Sequence, residues 1–424
     1  MKKLFKLIFK NLKKSNSKTQ HFEKLKIEKK TNLIFNAIEE YSNHGVARYV
    51  GGCVRKIYNS ENVDDIDIST NLKPDEVCDA LEKKKIKYYK TGYEHGTITA
   101  IINKINFEIT SLREDISTDG RRAVVRFTTD WYKDAERRDF TINAIYADLN
   151  GNIFDPTNGK KDLEDGRVRF IGNAEERVKE DYLRIVRYIR FFISYSKHEH
   201  DKEIKRILKK NIKGITTLSN ERLLDELRKI IKIENFLNIL NDKFSQEILL
   251  LVYPQIVKLN NLKLIKKDRY KFFNSKNSAF KLALLIIDKT DNTEFFLYKY
   301  NLSNEEKKKI FFLKEMYLKF EDKNLFTEDN LFKIFYLYGK DFLIDLIDFR
   351  LLTAKTINKK ILDIKNLIID SEKPILPIKA RDLIKKYNLK EGRDLGKKLR
   401  KIEEVWINNK FKISDNEIDV IIKD

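Results

Sequence analysis

The pair of carboxylates at Asp65 and Asp67 is the feature of this sequence with the clearest chemical meaning. Asp65 lies fourteen positions after Gly51, and one residue separates the two acids. In a β-strand, side chains at i and i+2 project from the same face. Carboxylate oxygens on one face can hold hard divalent cations. The spacing therefore predicts that Asp65 and Asp67 bind metal on a strand, and the alternative is a solvated acidic turn.

The glycine pair Gly51-Gly52 predicts a close approach of the backbone to a phosphate group. It follows an apolar strand, and glycine has no Cβ to keep a ligand away. Arg55 comes three positions after Gly52, at the predicted start of a helix. A guanidinium and backbone N–H groups at such a point suit a triphosphate, although an ordinary surface arginine is the alternative. The glycines and carboxylates together predict a site for a nucleoside triphosphate and metal.

Glu108 is a candidate third carboxylate, because it lies in a second β-rich segment that can run beside the first. An ordinary strand-edge charge explains it equally well. Two metal ions about 3.5–4 Å apart would activate an attacking hydroxyl and stabilise a pyrophosphate leaving group. Asp65, Asp67 and Glu108 are therefore the candidate catalytic residues.

The segment that begins at Arg137 and Arg138 predicts a second group of ligand contacts. Asp139 and Asn143 are four positions apart, which puts them on one face of a helix, away from the apolar residues between them. An arginine and an aspartate can hold phosphate and ribose hydroxyls together. The alternative is a helix N-terminus capped by Asp139.

A helix around residues 180–191 can carry base recognition. Its predicted core stripe contains Tyr182, Ile185, Val186, Ile189 and Ile193. Asp181, Arg184 and Tyr188 are predicted to cluster off that stripe, with Arg187 toward the opposite side. A carboxylate accepts from an exocyclic amine and a guanidinium donates to a ring nitrogen or carbonyl, so Asp181 and Arg184 can accept C and A and reject U and G. The alternative is a surface ion pair at i, i+3.

The surrounding pattern predicts an α+β fold, in which a small mixed-sheet head is followed by helical domains. A helix is predicted from about Thr31 to Glu40, and another over Lys73–Lys84. The predicted strands are Ala47–Val50, Ile66–Ser69, Thr97–Ile102, Asn106–Ser111 and Tyr146–Leu149. Asp115–Trp131 is predicted to be a loop over the head. From about Glu175 the pattern is almost wholly helical, including the long segments Glu221–Ile233 and Leu262–Asp288.

The charge balance favours a polyanionic partner. The 424 residues include 86 Lys and Arg against 65 Asp and Glu, a net charge of +21. Nucleic acid or an anionic membrane surface would suit this excess of positive charge. A general enrichment of the chain in Lys, Ile and Asn, unrelated to binding, explains part of the excess. The two cysteines, Cys53 and Cys78, fit a reducing compartment and exclude a thiolate zinc site. No run of about twenty apolar residues exists, so no membrane span is predicted.

The N-terminal residues form a separate basic extension in this interpretation. Apolar residues recur at helical spacing between lysines at Phe5, Ile8, Phe9 and Leu12. A basic amphipathic helix of this kind can lie on RNA or on a membrane. It is not a convincing signal peptide, because lysine interrupts the apolar run. We expect a mobile or RNA-facing extension rather than a targeting segment, and a cytoplasmic protein.

Four motifs in order carry a family resemblance. They are Gly51-Gly52-Cys53-Val54-Arg55, Asp65-Ile66-Asp67, Arg137-Arg138-Asp139-Phe140-Thr141-Ile142-Asn143-Ala144, and Glu180-Asp181-Tyr182-Leu183-Arg184 with Arg187 and Arg190-Phe191. In these residues the chain resembles class II members of the tRNA nucleotidyltransferase and bacterial poly(A) polymerase family. The match covers residues 30–235 well and 375–412 loosely.

The resemblance implies residue roles and a head, neck, body and tail arrangement. It implies that Asp65 and Asp67 bind Mg²⁺, and that Gly51, Gly52 and Arg55 hold the triphosphate. It further implies that Arg138, Asp139 and Asn143 contact the nucleotide, that Asp181 and Arg184 form the base template, and that Arg187 and Arg190 support the template or the phosphates. We expect a basic extension at 1–30, a head at 31–155, a neck at 156–235, and a body and tail at 236–424.

The expected activity is addition of C, C and A to the 3′ end of tRNA from CTP and ATP. The protein would bind the acceptor arm through phosphates and shape. A poly(A) polymerase or an enzyme that adds part of CCA is one alternative. A catalytically weak RNA-binding protein is another, because Lys56 stands where the family usually has an acidic residue. Some relatives carry a metal phosphohydrolase domain, but no histidine follows His200, so His198 and His200 are predicted to be surface residues.

Overall fold

The computed structural model describes residues 21–26, 28–63, 65–118, 123–265, 267–354, 359–409 and 411–423. Residues 1–20 of the predicted N-terminal extension, Asp64 and the segment Gly120-Arg121-Arg122 lie outside these residues. The chain divides into two compact units. The first contains Met1–Glu226 and Lys243–Val252, and the second contains Leu227–Asp242 and Tyr253–Asp424.

The first unit is built on a mixed sheet of seven strands in the order β3-β4-β5-β2-β1-β8-β9. The strands are β1 (Ala47–Val50), β2 (Asp67–Thr70), β3 (Lys87–Gly92), β4 (Thr97–Ile102), β5 (Ile105–Ser111), β8 (Tyr146–Ala147) and β9 (Ile153–Phe154). Strands β2 and β5 are parallel, and the other neighbours are antiparallel. The expected small mixed sheet is confirmed, and β3 and β9 are additions to the prediction.

Short helices cover the sheet and bury its apolar residues. They are α1 (residues 21–26), α2 (Asn32–Glu39), α3 (Gly52–Tyr58), α4 (Pro74–Lys83), α5 (Trp131–Glu136) and α6 (Gly159–Asp165). Helix α2 follows the predicted span, and its buried face carries Ile34, Phe35 and Ile38. Pro74 opens α4, where its fixed φ and missing N–H are tolerated.

The predicted loop over Asp115–Trp131 is wrong. Strands β6 (Arg113–Thr118) and β7 (Ala123–Phe127) form an antiparallel hairpin, and α5 begins at Trp131. The hairpin pairs Glu114 with Arg126 across its two strands, and their side chains lie 3.5 Å apart. This charge pair joins a mostly polar first strand to a second strand, Ala123–Phe127, that is mostly apolar.

The first unit continues in helices. These are α7 (Ala174–Glu180), α8 (Leu183–Tyr195), α9 (Lys202–Asn211), the start of α10 (Asn220–Lys232), and α11 (Lys243–Val252). His200 packs between α8 and α11, stacked on Phe192 at 3.5 Å between ring centroids and edge-on to Phe244. Its Nδ1 lies 3.1 Å from the hydroxyl of Tyr188. The prediction of a surface histidine is thus wrong for His200, whereas His198 is exposed.

The second unit is helical throughout its longer elements, as the pattern predicted. It contains the end of α10 and the helices α12 (Tyr270–Asn274), α13 (Ser278–Ile286), α14 (Asn292–Lys299), α15 (Asn304–Leu318), α16 (Glu328–Tyr338), α17 (Lys340–Thr353), α18 (Lys359–Ile369), α19 (Ala380–Tyr387), α20 (Arg393–Asn408) and α21 (Asp415–Lys423). The segment Leu262–Asp288 is interrupted rather than one long helix. Among the described residues, no helix has the length and apolar character to cross a membrane.

Candidate active site

A cavity of about 400 Å³ in the first unit gathers most of the predicted site residues. Its lining contains Gly51, Gly52, Arg55, Asp67, Arg137, Arg138, Asp139, Asn143, Asp181, Arg184, Arg187, Arg190 and Phe191. Asp65 and Glu108 are not part of that lining. The sequence assigned no role to Arg137 or Phe191, although both stand inside the recognised motifs.

The glycine pair forms the tight turn between β1 and α3. Gly51 has φ +63°, a backbone conformation that favours glycine, and its N–H donates to the carbonyl of Ile145 at 3.2 Å. A Cβ on Gly51 would lie 3.7 Å from Nη1 of Arg138, and one on Gly52 would lie 3.7 Å from Oδ2 of Asp67. These are ordinary van der Waals distances, so the positive φ of Gly51 is what favours glycine here, and the turn places Arg138 and Asp67 beside the backbone.

Arg55 is buried on α3 and is oriented by its neighbours. Its guanidinium donates a hydrogen bond to the side-chain oxygen of Asn143. The guanidinium carbon also lies 4.8 Å from the ring centroid of Phe191. These contacts fix a positive charge in the cavity wall, which the alternative of a surface arginine did not predict.

Asp67 and Glu108 are aligned on the parallel strands β2 and β5, as directly paired residues. Burial, together with the charges of Glu108 and Asp65, raises the pKa of Asp67 to about 6 against the opposing charges of Arg138 and Arg55. Strand β2 begins at Asp67, so Asp65 lies in the preceding segment with an exposed side chain. The predicted common strand face is therefore not formed by β2 itself.

The donor chemistry of this corner suits a divalent cation. Asp67 is a buried carboxylate whose pKa is raised first by burial and then by the neighbouring carboxylate of Glu108, and carboxylate oxygens are the ligands that Mg²⁺ accepts. In the part of the chain that the structure describes, no three or more His, Cys, Asp and Glu residues are grouped closely enough to hold a metal ion. The residues fit a partial carboxylate site that substrate phosphates and water would complete.

Asp139 organises the turn that follows the two arginines. Its Oδ1 accepts from the backbone N–H of Phe140 at 2.9 Å and from Nδ2 of Asn143 at 2.7 Å. Burial opposes ionisation, but Arg187 and the hydrogen bond from Asn143 hold the pKa of Asp139 well below its usual range. The segment forms a 3-10 turn over Thr141–Asn143 with Phe140 at its N-cap, so the alternative of a helix N-terminus capped by Asp139 is wrong, and no α-helix carries Asp139 and Asn143.

Arg187 lies in the cavity, and its predicted position on the opposite side is wrong. Its Nε donates to Oδ2 of Asp139 at 2.7 Å, and its Nη1 lies 3.3 Å from the buried carboxylate of Glu226. Glu226 also accepts from Nε of Arg190 at 2.7 Å. One carboxylate from α10 thus pairs with two arginines of α8 and offsets the repulsion between their positive charges.

The predicted helix around residues 180–191 is broken at Asp181. Helix α7 ends at Glu180, Asp181 is extended, and α8 begins at Leu183. Oδ1 of Asp181 accepts from the N–H of Leu183 at 3.1 Å, and its Oδ2 accepts from Arg222 at 2.7 Å. Tyr188, predicted off the core stripe, is buried as well, because it packs against the rings of Phe140 and Phe170.

Arg184 lines the same cavity with partners of its own. It pairs with Glu180, and its Nη1 donates to the carbonyl of Arg177 at 2.9 Å. Asp181 and Arg184 are therefore each oriented by another residue rather than by each other. Both keep hydrogen-bonding capacity, because a carboxylate oxygen has a second lone pair and a guanidinium has five N–H donors.

Comparisons with known proteins identify the family of this chain. A family model described as "Poly A polymerase head domain" matches residues 47–169, and one described as "tRNA nucleotidyltransferase domain 2 putative" matches residues 272–422. The CCA-adding enzyme of Staphylococcus haemolyticus is 32% identical over 392 residues, which cover 88% of this chain and 92% of that enzyme. The chain belongs to the class II CCA-adding enzyme family. The α+β head and the helical remainder are those of this family.

Vertebrate members of the CCA-adding enzyme family match a shorter part of the chain. The human mitochondrial CCA tRNA nucleotidyltransferase 1 is 45% identical over 192 residues, which cover 45% of this chain and 44% of that enzyme. The zebrafish (Danio rerio) enzyme is 39% identical over 217 residues, or 50% of each chain. The chain thus spans about half the length of these relatives.

Solved structures of the family share the fold along nearly the whole chain. The Bacillus stearothermophilus CCA-adding enzyme in complex with CTP has a TM-score of 0.69 at 20% identity, covering 93% of this chain and 96% of that one. The Thermotoga maritima CCA-adding enzyme complexed with tRNA has a TM-score of 0.61 at 19% identity, covering 94% and 95%. At these identities the likeness establishes the fold.

Proposed function

We propose that this protein is a template-independent nucleotidyltransferase that adds C, C and A to the 3′ end of tRNA. CTP and ATP are its substrates, and pyrophosphate is released. The observation that carries the proposal is the single cavity that combines the glycine turn, the Asp67 carboxylate and the guanidiniums of Arg55, Arg138 and Arg187. Such a cavity suits a triphosphate beside a nucleophile that attacks its α-phosphate.

The arginines would hold the triphosphate in line for attack by the tRNA 3′-OH. Arg55 and Arg138 line the same cavity as the glycine turn, and their guanidiniums are the groups there that would bind phosphate oxygens. Arg187 and Arg190 are already balanced by Asp139 and Glu226, so they would orient the ligand without a large excess of buried charge. Guanidiniums suit this task because their planar fork matches phosphate oxygens.

Mg²⁺ is the metal that the carboxylate corner would hold, through Asp67 and Asp65 with Glu108 as a further candidate. When bound, divalent ions activate the attacking hydroxyl and neutralise charge on the leaving pyrophosphate. The close backbone of Gly52 beside Asp67 would keep the triphosphate near these carboxylates.

Asp181 and Arg184 would select the base. Asp181 would accept from the exocyclic amine of C or A, and Arg184 would donate to the adjacent ring nitrogen. Arg222 and Glu180 orient the two side chains before a base arrives, which reduces the ordering cost of binding. The net charge of +21 supports tRNA as the polyanionic partner, bound at its acceptor arm. A cytoplasmic location remains a prediction.

The test is incubation with tRNA that lacks its 3′ end, with Mg²⁺ and each NTP alone or together, followed by sequencing of the 3′ ends. We expect CCA from CTP plus ATP, and no extension by UTP or GTP. A run of A would indicate a poly(A) polymerase, and C-C or A alone would indicate partial addition.

Variants separate loss of chemistry from loss of RNA binding. Asp67→Ala should abolish transfer while tRNA binding persists, and Asp79→Ala, which removes an exposed carboxylate elsewhere on the head, should transfer normally. A wild-type protein that binds tRNA and adds no nucleotide would favour the RNA-binding alternative that Lys56 suggested.

A further inference from the structure

Asp134 is a buried carboxylate that belongs to none of the recognised motifs. It lies on α5, and its exposed fraction is 0%. Burial opposes its ionisation, but Arg138, Arg137 and the hydroxyl of Tyr146 hold its pKa well below the usual range. An ionised carboxylate in a protein interior is stable only when its oxygens are fully paired. The residues around Asp134 therefore keep it ionised in the protein interior.

Each oxygen of Asp134 holds one arginine of the cavity wall. Oδ1 lies 2.8 Å from Nε and 2.7 Å from Nη2 of Arg137. Oδ2 lies 3.2 Å from Nε and 2.9 Å from Nη2 of Arg138, and it also accepts from the hydroxyl of Tyr146 at 2.7 Å. The spacing of i, i+3 and i, i+4 brings the three charged residues to one side of the chain.

Further contacts of Arg138 fix the direction in which its guanidinium points. Its Nη2 lies 3.3 Å from Oγ of Ser69 on β2, and its Nη1 lies 3.4 Å from the carbonyl of Asn143. Its Nη1 also stands beside the glycine turn, where the triphosphate would pass. The side chains of Arg137 and Arg138 are only 15% and 17% exposed. Two guanidiniums so close together repel each other unless an anion separates them.

We propose that Asp134 is a positioning residue, which holds the Arg137 and Arg138 guanidiniums in place for the phosphates of the incoming nucleotide. It touches no substrate atom itself. A neutral amide could not replace it, because one of its two terminal atoms would donate toward a guanidinium instead of accepting from it. The proposal deepens the nucleotidyl transfer proposed above and rests on it.

The test compares Asp134→Asn with wild type in CTP binding without tRNA, by equilibrium dialysis, and in steady-state C addition. Losing charge-assisted hydrogen bonds of this kind weakens binding by about ten- to a hundredfold. We expect the Kd and KM for CTP to rise by that factor, and KM for tRNA to change little. Asp130→Ala, which removes the N-cap of the same helix, should leave both values near wild type.

A second substitution shows whether Asp134 acts through Arg138. If it does, Asp134→Asn adds little to the CTP-binding loss already caused by Arg138→Ala, because residues that act as a unit are not additive. Asp134→Glu keeps the charge and should recover part of the affinity.

The outcomes are distinguishable. A folded Asp134→Asn protein with wild-type Kd for CTP, or an effect that adds fully both to Arg137→Ala and to Arg138→Ala, would refute the positioning role. If circular dichroism shows that neither the Asn nor the Glu variant folds, Asp134 serves stability alone and the proposal is rejected. A wild-type protein that neither binds CTP nor extends tRNA would instead overturn the proposed function itself.

Discussion

Substituting Asp67 with Asn should make the metal-free protein more stable at neutral pH, although the same change should abolish catalysis. Burial, with Glu108 and Asp65 nearby, raises the pKa of the Asp67 carboxyl to about 6 in the folded protein, against an ordinary value of 3.8. The folded state then binds this proton more tightly than the unfolded state does. The free energy of unfolding therefore falls as pH rises from about 4 to about 6, and the loss is complete above that range.

The magnitude follows from the two pKa values. Since one pKa unit is worth about 1.4 kcal/mol, the rise from 3.8 to about 6 corresponds to about 3 kcal/mol at full ionisation. Asn has nearly the same shape and carries no charge, so it removes this penalty. We expect Asp67→Asn to gain about 1–3 kcal/mol relative to wild type at pH 8, and to lose that gain at pH 4.

The assay is urea unfolding in EDTA at several pH values from 4 to 8. The matched control is Asp79→Asn, which removes an exposed carboxylate elsewhere on the head. Adding Mg²⁺ at pH 8 should stabilise wild type more than Asp67→Asn, because a ligand stabilises only the state that binds it. A stability difference between Asp67→Asn and wild type that stays constant from pH 4 to pH 8 would refute the reasoning.

Three further expectations concern selection, RNA binding and packing. Asp181→Ala should relax rejection of UTP and GTP by about ten- to a hundredfold, measured as incorporation of each of the four NTPs; an equal loss with all four would make Asp181 a structural support. The tRNA affinity should fall steeply with salt because bound lysines and arginines release counterions, and titrations with a flat affinity would contradict this. Gly159→Ala would place a Cβ 2.0 Å from the carbonyl oxygen of Thr141. This clash should lower the free energy of unfolding by about 1–3 kcal/mol. If the urea midpoint of the variant equals that of wild type, the backbone has moved to relieve the clash and the prediction is wrong.

The strands that could be predicted are those with apolar, β-branched sequences. Ala47–Val50 and Thr97–Ile102 form where they were expected. The hairpin of β6 and β7 was missed because its first strand opens with Arg113-Glu114-Asp115, which has no apolar alternation. Its second strand, Ala123–Phe127, is mostly apolar, and the pairing of the two strands is not revealed by the polar pattern of the first. Strand β3 was missed for a similar reason, since it is an edge strand with mostly exposed residues.

The site residues could be named from the sequence, but their partners could not. Arg187 pairs with Asp139 across 48 positions of the chain, and no helical wheel contains that contact. The prediction of one continuous helix through Asp181 was wrong, because this side chain accepts a hydrogen bond from the N–H of Leu183 and so competes with helix formation. Asp134 was visible as an acid three and four positions before two arginines, but its burial was not.

The path of the chain between the two compact units has a consequence for synthesis on the ribosome. Helix α10 begins in the first unit and ends in the second, and α11 then returns to the first. The first unit therefore lacks a part of itself until Val252 has emerged, long after the catalytic motifs have been made. Until then α8 has no α11 to pack against, and the His200 ring is stacked on one side only. During synthesis the first compact unit therefore keeps apolar residues of α8 uncovered until α11 emerges, although part of the second unit is made before α11.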